Sequence, residues 1–381
     1  MQRNVTIFWL AGESSGDLHA SIVMRAVNES LQNVRHVGIG GPLMQREGLK
    51  TLFPFDKFAV MGFTEVAKHL GFFLKVEKAI ARYLRMDKPD LFIPVDYPGL
   101  NLRVAKIADD LRIPVLYYIC PQFWAWKHKR VFALKEDVRH VACILPFEKE
   151  LLDSHNVTSS YVGHPITEEI RIELDRESFA RFFGLDPAKK WIGFMPGSRN
   201  HEIQRMLPVF LKSARLMDPE QYQFLFSKSR AVAHSLYMNI LDDHREIKAH
   251  IIDGYNYEMM KYCEALIGCS GTVTLEAAYI GTPMVICYKA SPLSYAIGRY
   301  LVRIKHMGLP NIIMEDTIFP ELLQHDAKQS RIAQEVFNLL SDEAYSREVK
   351  VKLLKLRQLL EGKRPSVEML RIIKELLKLD E

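Results

Sequence analysis

The sequence predicts an α/β protein built from two doubly wound domains facing a cleft, and three observations carry that prediction. Short apolar runs alternate with helical patterns from one end of the chain to the other. The runs fall into two groups separated by a charged stretch without strands. Polar and glycine-containing turns follow the carboxyl ends of the runs, where open parallel sheets bind their ligands. A length of 381 residues suits two domains, and 48% hydrophobic with 25% charged residues describes a soluble globular chain.

In chain order, the first group of strands comprises Val5 to Leu10, His36 to Ile39, Leu91 to Val95, Val115 to Ile119 and Val141 to Leu145. The first of these is too short for a secretory signal and meets Glu13 and Asp17 at once, so it reads as a strand. Gly163-His164-Pro165 and the strand-free stretch Glu168 to Arg181 mark the junction between an N-terminal domain over 1–167 and a second over 168–345. The second group comprises Trp191 to Met195, Gln223 to Phe226, His250 to Ile252, Ala265 to Ile267 and Met284 to Tyr288. From 346 to 381 the pattern is helical and Leu/Lys-rich, and these helices are expected to pack back on the N-terminal domain.

No apolar run is long enough to cross a bilayer, the richest, Ile113 to Trp126, being broken by Pro114 and Pro121. Any membrane contact is therefore peripheral. Met61 to Lys88 combines Met61, Phe63, Val66, Leu70, Phe72, Phe73 and Leu74 with Lys68, Lys75, Lys78, Arg82 and Arg85. The triplet Phe72-Phe73-Leu74 cannot all face one core, which favours a membrane-facing amphipathic helix over packing on the first sheet.

The formal charge of +5 is slight and includes no block of like charge, so no nucleic-acid partner is expected. The run Pro121 to Arg130 interleaves Trp124 and Trp126 with basic residues, but one unrepeated cluster reads as a helix start packed through its tryptophans. Cys120, Cys143, Cys263, Cys269 and Cys287 are odd in number, lack paired spacing and sit in or beside apolar runs. They read as reduced core residues in a reducing compartment. With no D-x-D motif and no His/Cys cluster, neither a metal nor another cofactor is expected. Gly38-Ile39-Gly40-Gly41 is followed by Leu43, which disfavours a nicotinamide fingerprint.

Two turns in the second half suggest a nucleotide-sugar site. Gly268-Cys269-Ser270-Gly271-Thr272 runs from a strand into a helix whose first N–H groups suit a diphosphate, and Glu276 lies one turn in, placed to accept from two ribose hydroxyls. Met195-Pro196-Gly197-Ser198-Arg199 repeats the strand–turn–helix arrangement, with Arg199 able to clamp phosphate oxygens. Arg303, Lys305 and His306 are further candidates for the charge on a departing diphosphate, and Asn311 for an amide contact. In the first half, Asp96 ends a strand and His19 lies on the first turns of a helix. They are rival general bases.

Read together, the turns resemble the lipid-A-disaccharide synthase family, bacterial glycosyltransferases with two Rossmann-like domains in the GT-B architecture. The resemblance rests on Ala11 to Asp17, Gly40 to Met44, Val60 to Val66, Trp124 to Trp126, Leu145 to Lys149, Gly163 to Pro165, Pro196 to Arg199, Ser270 to Thr272 with Glu276, and Leu309 to Asn311. It implies transfer of a diacylglucosamine from its UDP derivative to the 6-hydroxyl of diacylglucosamine 1-phosphate. The transfer inverts configuration and yields the β-1,6-linked lipid A disaccharide 1-phosphate and UDP. The implied location is peripheral, on the cytoplasmic face of the inner membrane, and a homodimer is compatible with it. Asp96 matches the family's candidate base, Glu13 and Ser15 its acceptor-side turn, and Arg199 and Asn311 its donor site. The catalytic group is then Asp96, His19 and Glu13, with Gly197, Ser198, Ser270, Gly271, Thr272 and Glu276 completing the substrate contacts. Gly99 stands where the family often has a second acidic residue, and Cys120 where it often has Ser. The alternative reading is a UDP-sugar epimerase on the same architecture, and a third is a non-catalytic nucleotide-sugar binder.

Overall fold

The structure is a computed structural model that describes residues 4–59, 70–290, 295 and 305–379. Every apolar run read from the sequence forms a strand. In the first unit, Met1–Pro165 with Gly362–Glu381, these are β1 (Val5–Ala11), β2 (Val34–Ile39), β3 (Lys50–Thr51), β4 (Leu91–Val95), β5 (Leu116–Tyr118), β6 (His140–Cys143) and β7 (Ser159–Tyr161). In the second, Ile166–Glu361, they are β8 (Lys190–Met195), β9 (Tyr222–Lys228), β10 (Ala249–Asp253), β11 (Ala265–Cys269), β12 (Met284–Tyr288) and β13 (Glu321–Leu323). β3, β7 and β13 were not foreseen; each is very short and lies at a sheet edge.

Within both sheets every pairing is parallel. The strand orders are β3-β2-β1-β4-β5-β6-β7 and β10-β9-β8-β11-β12-β13. Each order reverses direction at one point, between β1 and β4 in the first sheet and between β8 and β11 in the second. At such a point the two strand ends carry connections that leave in opposite directions, opening a crevice for ligands. The register fixes which turns share it: Ala11 pairs with Val95, and Met195 with Gly268. The four strand ends at the two reversals thus lead into Glu13, Asp96, Gly197 and Ser270.

The segment 346–381, expected to pack back as a whole, divides instead. Helix Glu343–Leu360 buries Val349, Leu353, Leu356 and Leu360 in the core of the second unit. Helix Pro365–Leu377 packs on helix Ser14–Ser30 of the first. The return to the first unit is tied by Lys363, whose Nζ donates to the Tyr161 carbonyl at 2.9 Å.

The aromatic pair Phe72 and Phe73 does not form the outward face expected of it. On helix Leu70–Asp87, Phe73 is buried in the first-unit core, edge-on to Phe58 and 6.4 Å from the Tyr97 ring. Phe72 is half-buried against the same Phe58, at 5.3 Å. Only Leu74 of the triplet is exposed, beside Lys75 and Lys78. A helix turns about 100° per residue, so neighbouring aromatics can both reach inward when a second element covers the flank. Met61, Phe63, Val66 and Lys68, with the Val60 to Val66 motif, lie outside the described residues.

Candidate active site

In the first unit the chain leaves β4 through two successive non-glycine residues in the left-handed region, Asp96 (φ 46°) and Tyr97 (φ 47°). Such a conformation costs on the order of 1–3 kcal/mol per residue and persists only where its surroundings hold it. Here the Asp96 N–H donates to the Tyr118 carbonyl at 2.9 Å. Its own carbonyl accepts from Asn101 Nδ2 at 2.6 Å and from the Tyr117 hydroxyl at 2.7 Å. Pro98 then starts the next helix. The turn aims the Asp96 carboxyl into the surroundings of Glu13, His19 and Arg130, whose charges all act on it.

Burial, then the charge of Glu13, raises the Asp96 carboxyl to about 6, against the pull of a Tyr97 N–H bond, His19 and Arg130. The structure therefore brings together the three residues read as the catalytic group. Glu13 is exposed at the start of helix Ser14–Ser30, Ser15 half-buried in its first turn, and His19 buried on its inner face. His19 also acts on His164, which burial pushes down to about 3. Asp17 is held in a structural role, its two oxygens accepting from the Leu43 and Met44 N–H groups at 3.1 and 3.0 Å. It caps helix Pro42–Arg46, and a side chain at Gly41 would overlap its carboxylate.

Two residues of this region escaped sequence reading as site residues. Glu148 is buried, accepting from the Trp124 indole at 3.1 Å and from the Ile144 and Leu145 N–H groups at 3.3 and 3.1 Å. At the start of a short helix it reads as a surface carboxylate, and only the packing of Trp124 over it reveals otherwise. Burial raises it to about 7. The unfolded chain ionises this group near 4.5, so its contribution to folding is fullest below that pH and falls by up to about 3 kcal/mol as pH rises through 7. Chemical denaturation at pH 5 and pH 8 is expected to show a smaller loss across this window in Glu148→Gln than in the wild type. The second residue is Arg130, half-buried with its guanidinium 4.8 Å from the Trp126 ring centroid.

In the second unit, the turn after β8 is shaped by a buried carboxylate. Glu202 Oε2 accepts from the Ser198 and Arg199 N–H groups at 2.9 and 3.2 Å, reaching back from the first turn of helix Asn200–Ala214 as the acidic half of a capping box does. Gly197 takes a φ of +112°, and a side chain there would overlap Glu202. The Arg199 side chain is 57% exposed and meets Glu202 only through one contact of 3.4 Å. Most of its donors therefore face outward. Glu202 was not singled out in the sequence, because Arg199 at the N-cap lacks the side-chain acceptor that would complete a capping-box signature with it.

After β11, Ser270 donates to the Met307 carbonyl at 2.9 Å. Gly271 follows at φ 157°, ψ −167°, a conformation open to glycine alone, and the space where a side chain would stand is empty. Helix Thr272–Ile280 begins there with a glycine at its N-cap, which supplies no side-chain cap, and Thr272 is exposed. Thr274 turns inward instead, donating to the Gly271 carbonyl at 2.8 Å. Glu276 lies one turn further and half-buried, and burial, then the charges of Glu276 and Glu169, pushes the Tyr257 phenol up.

Asn311 is the residue the structure reassigns. It is fully buried, its amide donating to the Phe319 carbonyl and to Glu321 Oε1, both at 2.8 Å, and accepting from the Ile318 and Phe319 N–H groups at 2.8 and 3.0 Å. Every donor and two lone pairs are engaged, so the side chain pins the following loop and has no donor left for a ligand. Asn311→Ala is expected to lower stability by about 2–4 kcal/mol, the cost of several buried groups left unpaired. A thermal melt unchanged in the variant, with UDP binding lost, would return Asn311 to the donor site. Lys305 is exposed, His306 is half-buried and acts on Asp316, and Arg303 lies outside the described residues.

The family described as Lipid-A-disaccharide synthetase matches residues 7–371. The lipid-A-disaccharide synthase of Nitrosococcus oceani is 40% identical over 335 residues, covering 87% of this chain and 86% of that one. That of Trichlorobacter lovleyi is 38% identical over 355 residues, covering 93% and 92%. Among solved structures, S. aureus MnaA with UDP superposes with a TM-score of 0.66 at 12% identity, covering 99% of this chain and 98% of the other. The UDP-GlcNAc 2-epimerase of Neisseria meningitidis bound to UDP-GlcNAc gives 0.62 at 11% identity, with 99% of each chain covered. At such identity the likeness is one of fold, two parallel α/β units of the type that GT-B enzymes share. The match over nearly the whole length and the identity of the relatives lead to one conclusion: the chain belongs to the lipid-A-disaccharide synthetase family.

Proposed function

We propose that this protein is an inverting glycosyltransferase that moves a diacylglucosamine from its UDP derivative to the 6-hydroxyl of diacylglucosamine 1-phosphate. The observation that carries the reading is the Asp96 turn. A strained, over-held backbone presents one carboxyl whose affinity for a proton is raised to about 6, near enough to neutrality to accept a hydroxyl proton while remaining ionised at pH 7. As the acceptor oxygen bonds to the anomeric carbon, the carbon–oxygen bond to the diphosphate breaks and its electron pair leaves with UDP. Asp96 takes the hydroxyl proton, and Glu13 and His19 set its basicity in opposite directions.

The leaving diphosphate is met in the second unit by Arg199 and by the N–H groups at the start of helix Thr272–Ile280. A helix start alone supplies about 0.3–2 kcal/mol, so the guanidinium carries the larger share. Glu276 accepts from the ribose. Each acyl methylene left in lipid is worth about 0.8 kcal/mol, so both substrates stay in a bilayer and the enzyme works on its cytoplasmic face. Among the described residues no helix is long and apolar enough to cross a membrane, which accords with peripheral contact.

Purified protein, given UDP-diacylglucosamine and diacylglucosamine 1-phosphate, is expected to yield the disaccharide 1-phosphate and UDP by mass spectrometry. Epimerisation of UDP-N-acetylglucosamine in the absence of acceptor, with no disaccharide formed, would overturn the reading in favour of the epimerase.

A further inference from the structure

The run Pro121 to Arg130 does more than pack. Trp124 is anchored in the turn ahead of helix Arg130–Asp137, donating to Glu148 and standing edge-on to Phe147 at 5.0 Å. Trp126 is different. Its half-buried ring carries two cations, the Lys127 ammonium at 4.6 Å and the Arg130 guanidinium at 4.8 Å from its centroid. Lys127 is brought there through a left-handed backbone, φ 52°. Like charges gathered on one ring repel, and burial further disfavours each of them. A cation–π contact is worth only about 0.5–2 kcal/mol, so backbone strain and like-charge repulsion offset much of it. An anion that reaches both cations would offset that opposition.

The acidic groups that act on Arg130 are the Tyr117 phenol and Asp96, and both act by charge, without a hydrogen bond. Arg130 thus stands near the proposed base but is not tied to it. In a hexopyranose C1 and the C5 that carries C6 both flank the ring oxygen, so an acceptor with its 6-hydroxyl on Asp96 keeps its 1-substituent on the same edge of the sugar, within reach of a cation that stands near that carboxyl. We infer that Arg130 and Lys127, held on Trp126 by the Glu148–Trp124 anchor, form a subsite for the phosphate monoester of the acceptor. The inference rests on the transferase reading for the identity of that acceptor. A planar guanidinium beside an ammonium matches a doubly charged phosphate better than it matches a carboxylate.

The test compares two acceptors, with and without the 1-phosphate, in the wild type and in Arg130→Gln at pH 8, where Asp96 is ionised with or without the Arg130 charge. The variant is expected to lose roughly 10–100-fold in kcat/KM on the phosphorylated acceptor, mostly through KM, and less than about threefold on the other, with the donor KM unchanged. Arg130→Lys should recover part of the loss. Equal losses on both acceptors would mean that Arg130 acts only through Asp96, and would overturn the subsite. Calorimetry with glucosamine 1-phosphate gives a readout that needs no turnover. Binding is expected in the wild type, weaker in Arg130→Gln and in the exposed Lys127→Gln, which reports the same contact should the first variant misfold. Inorganic phosphate binding as tightly as glucosamine 1-phosphate, or variants that bind the sugar phosphate like the wild type, would also overturn it. Should the wild type bind glucosamine 1-phosphate through Arg130 yet make no disaccharide, the transferase reading falls and the anion subsite stands.

Discussion

Asp96→Asn is expected to lower kcat by about 10²–10⁴-fold while leaving UDP affinity nearly unchanged and the thermal melt at neutral pH no lower than the wild type's, because it removes a proton acceptor together with a charge that burial disfavours. The amide keeps the size of the side chain, and the strained turn is held through backbone atoms, by Asn101, Tyr117 and the Tyr118 carbonyl. The wild-type profile of kcat/KM against pH should rise from acid and level off above about 6, where Asp96 is ionised. The signs of its neighbours follow from charge. Glu13 raises the Asp96 carboxyl, so Glu13→Gln should move the acid limb to lower pH. His19 and Arg130 lower it, so His19→Gln should move the limb to higher pH while retaining turnover. An inactive His19→Gln variant beside an active Asp96→Asn would assign the base to His19 instead.

The fold was legible because strands of a parallel sheet are buried on both faces and read as unbroken apolar runs. β3, β7 and β13 were not, since an edge strand of two or three residues such as Lys50–Thr51 or Ser159–Tyr161 has neither length nor apolar character to set it apart from a turn. The site was legible where it depends on local chain geometry. Glu13, Asp96, Gly197 and Ser270 all follow strand ends, and strand order alone makes the ends within each sheet adjacent. It was illegible where a side chain's partner is distant in sequence. Asp17 reads as a carboxylate in the first turn of its own helix, yet it caps a helix that starts at Pro42. Asn311 follows a proline like any turn residue, but the loop it pins returns to it only at Ile318 and Phe319. Phe72 and Phe73 suggested a membrane face because nothing in the local pattern announces that Phe58 covers both.

Arg199→Ala is expected to reduce kcat/KM by about 10²–10³-fold, the range found when a preorganised donor to developing negative charge is removed. Stability should hold to within about 0.5 kcal/mol, because a largely exposed side chain with one 3.4 Å contact contributes little to folding. Arg199→Lys separates charge from shape: an ammonium keeps the attraction but loses the planar fork, so its activity should fall between the two. Glu202→Gln probes the turn itself. It leaves Arg199 in the chain but weakens the acceptor that holds the Ser198 and Arg199 N–H groups, so a loss there with a lowered melt would show that the guanidinium must be aimed as well as present. The two donor-site elements are also separable. Gly271→Ala meets no neighbouring atom but cannot easily keep φ 157°, so it should displace the helix start and raise the Kd for UDP with Arg199 intact. Were Arg199→Ala to retain kcat/KM within about threefold while Gly271→Ala lost UDP, the diphosphate would be held by backbone N–H groups alone, and the turn after β8 would have to be read as a helix cap with no part in transfer.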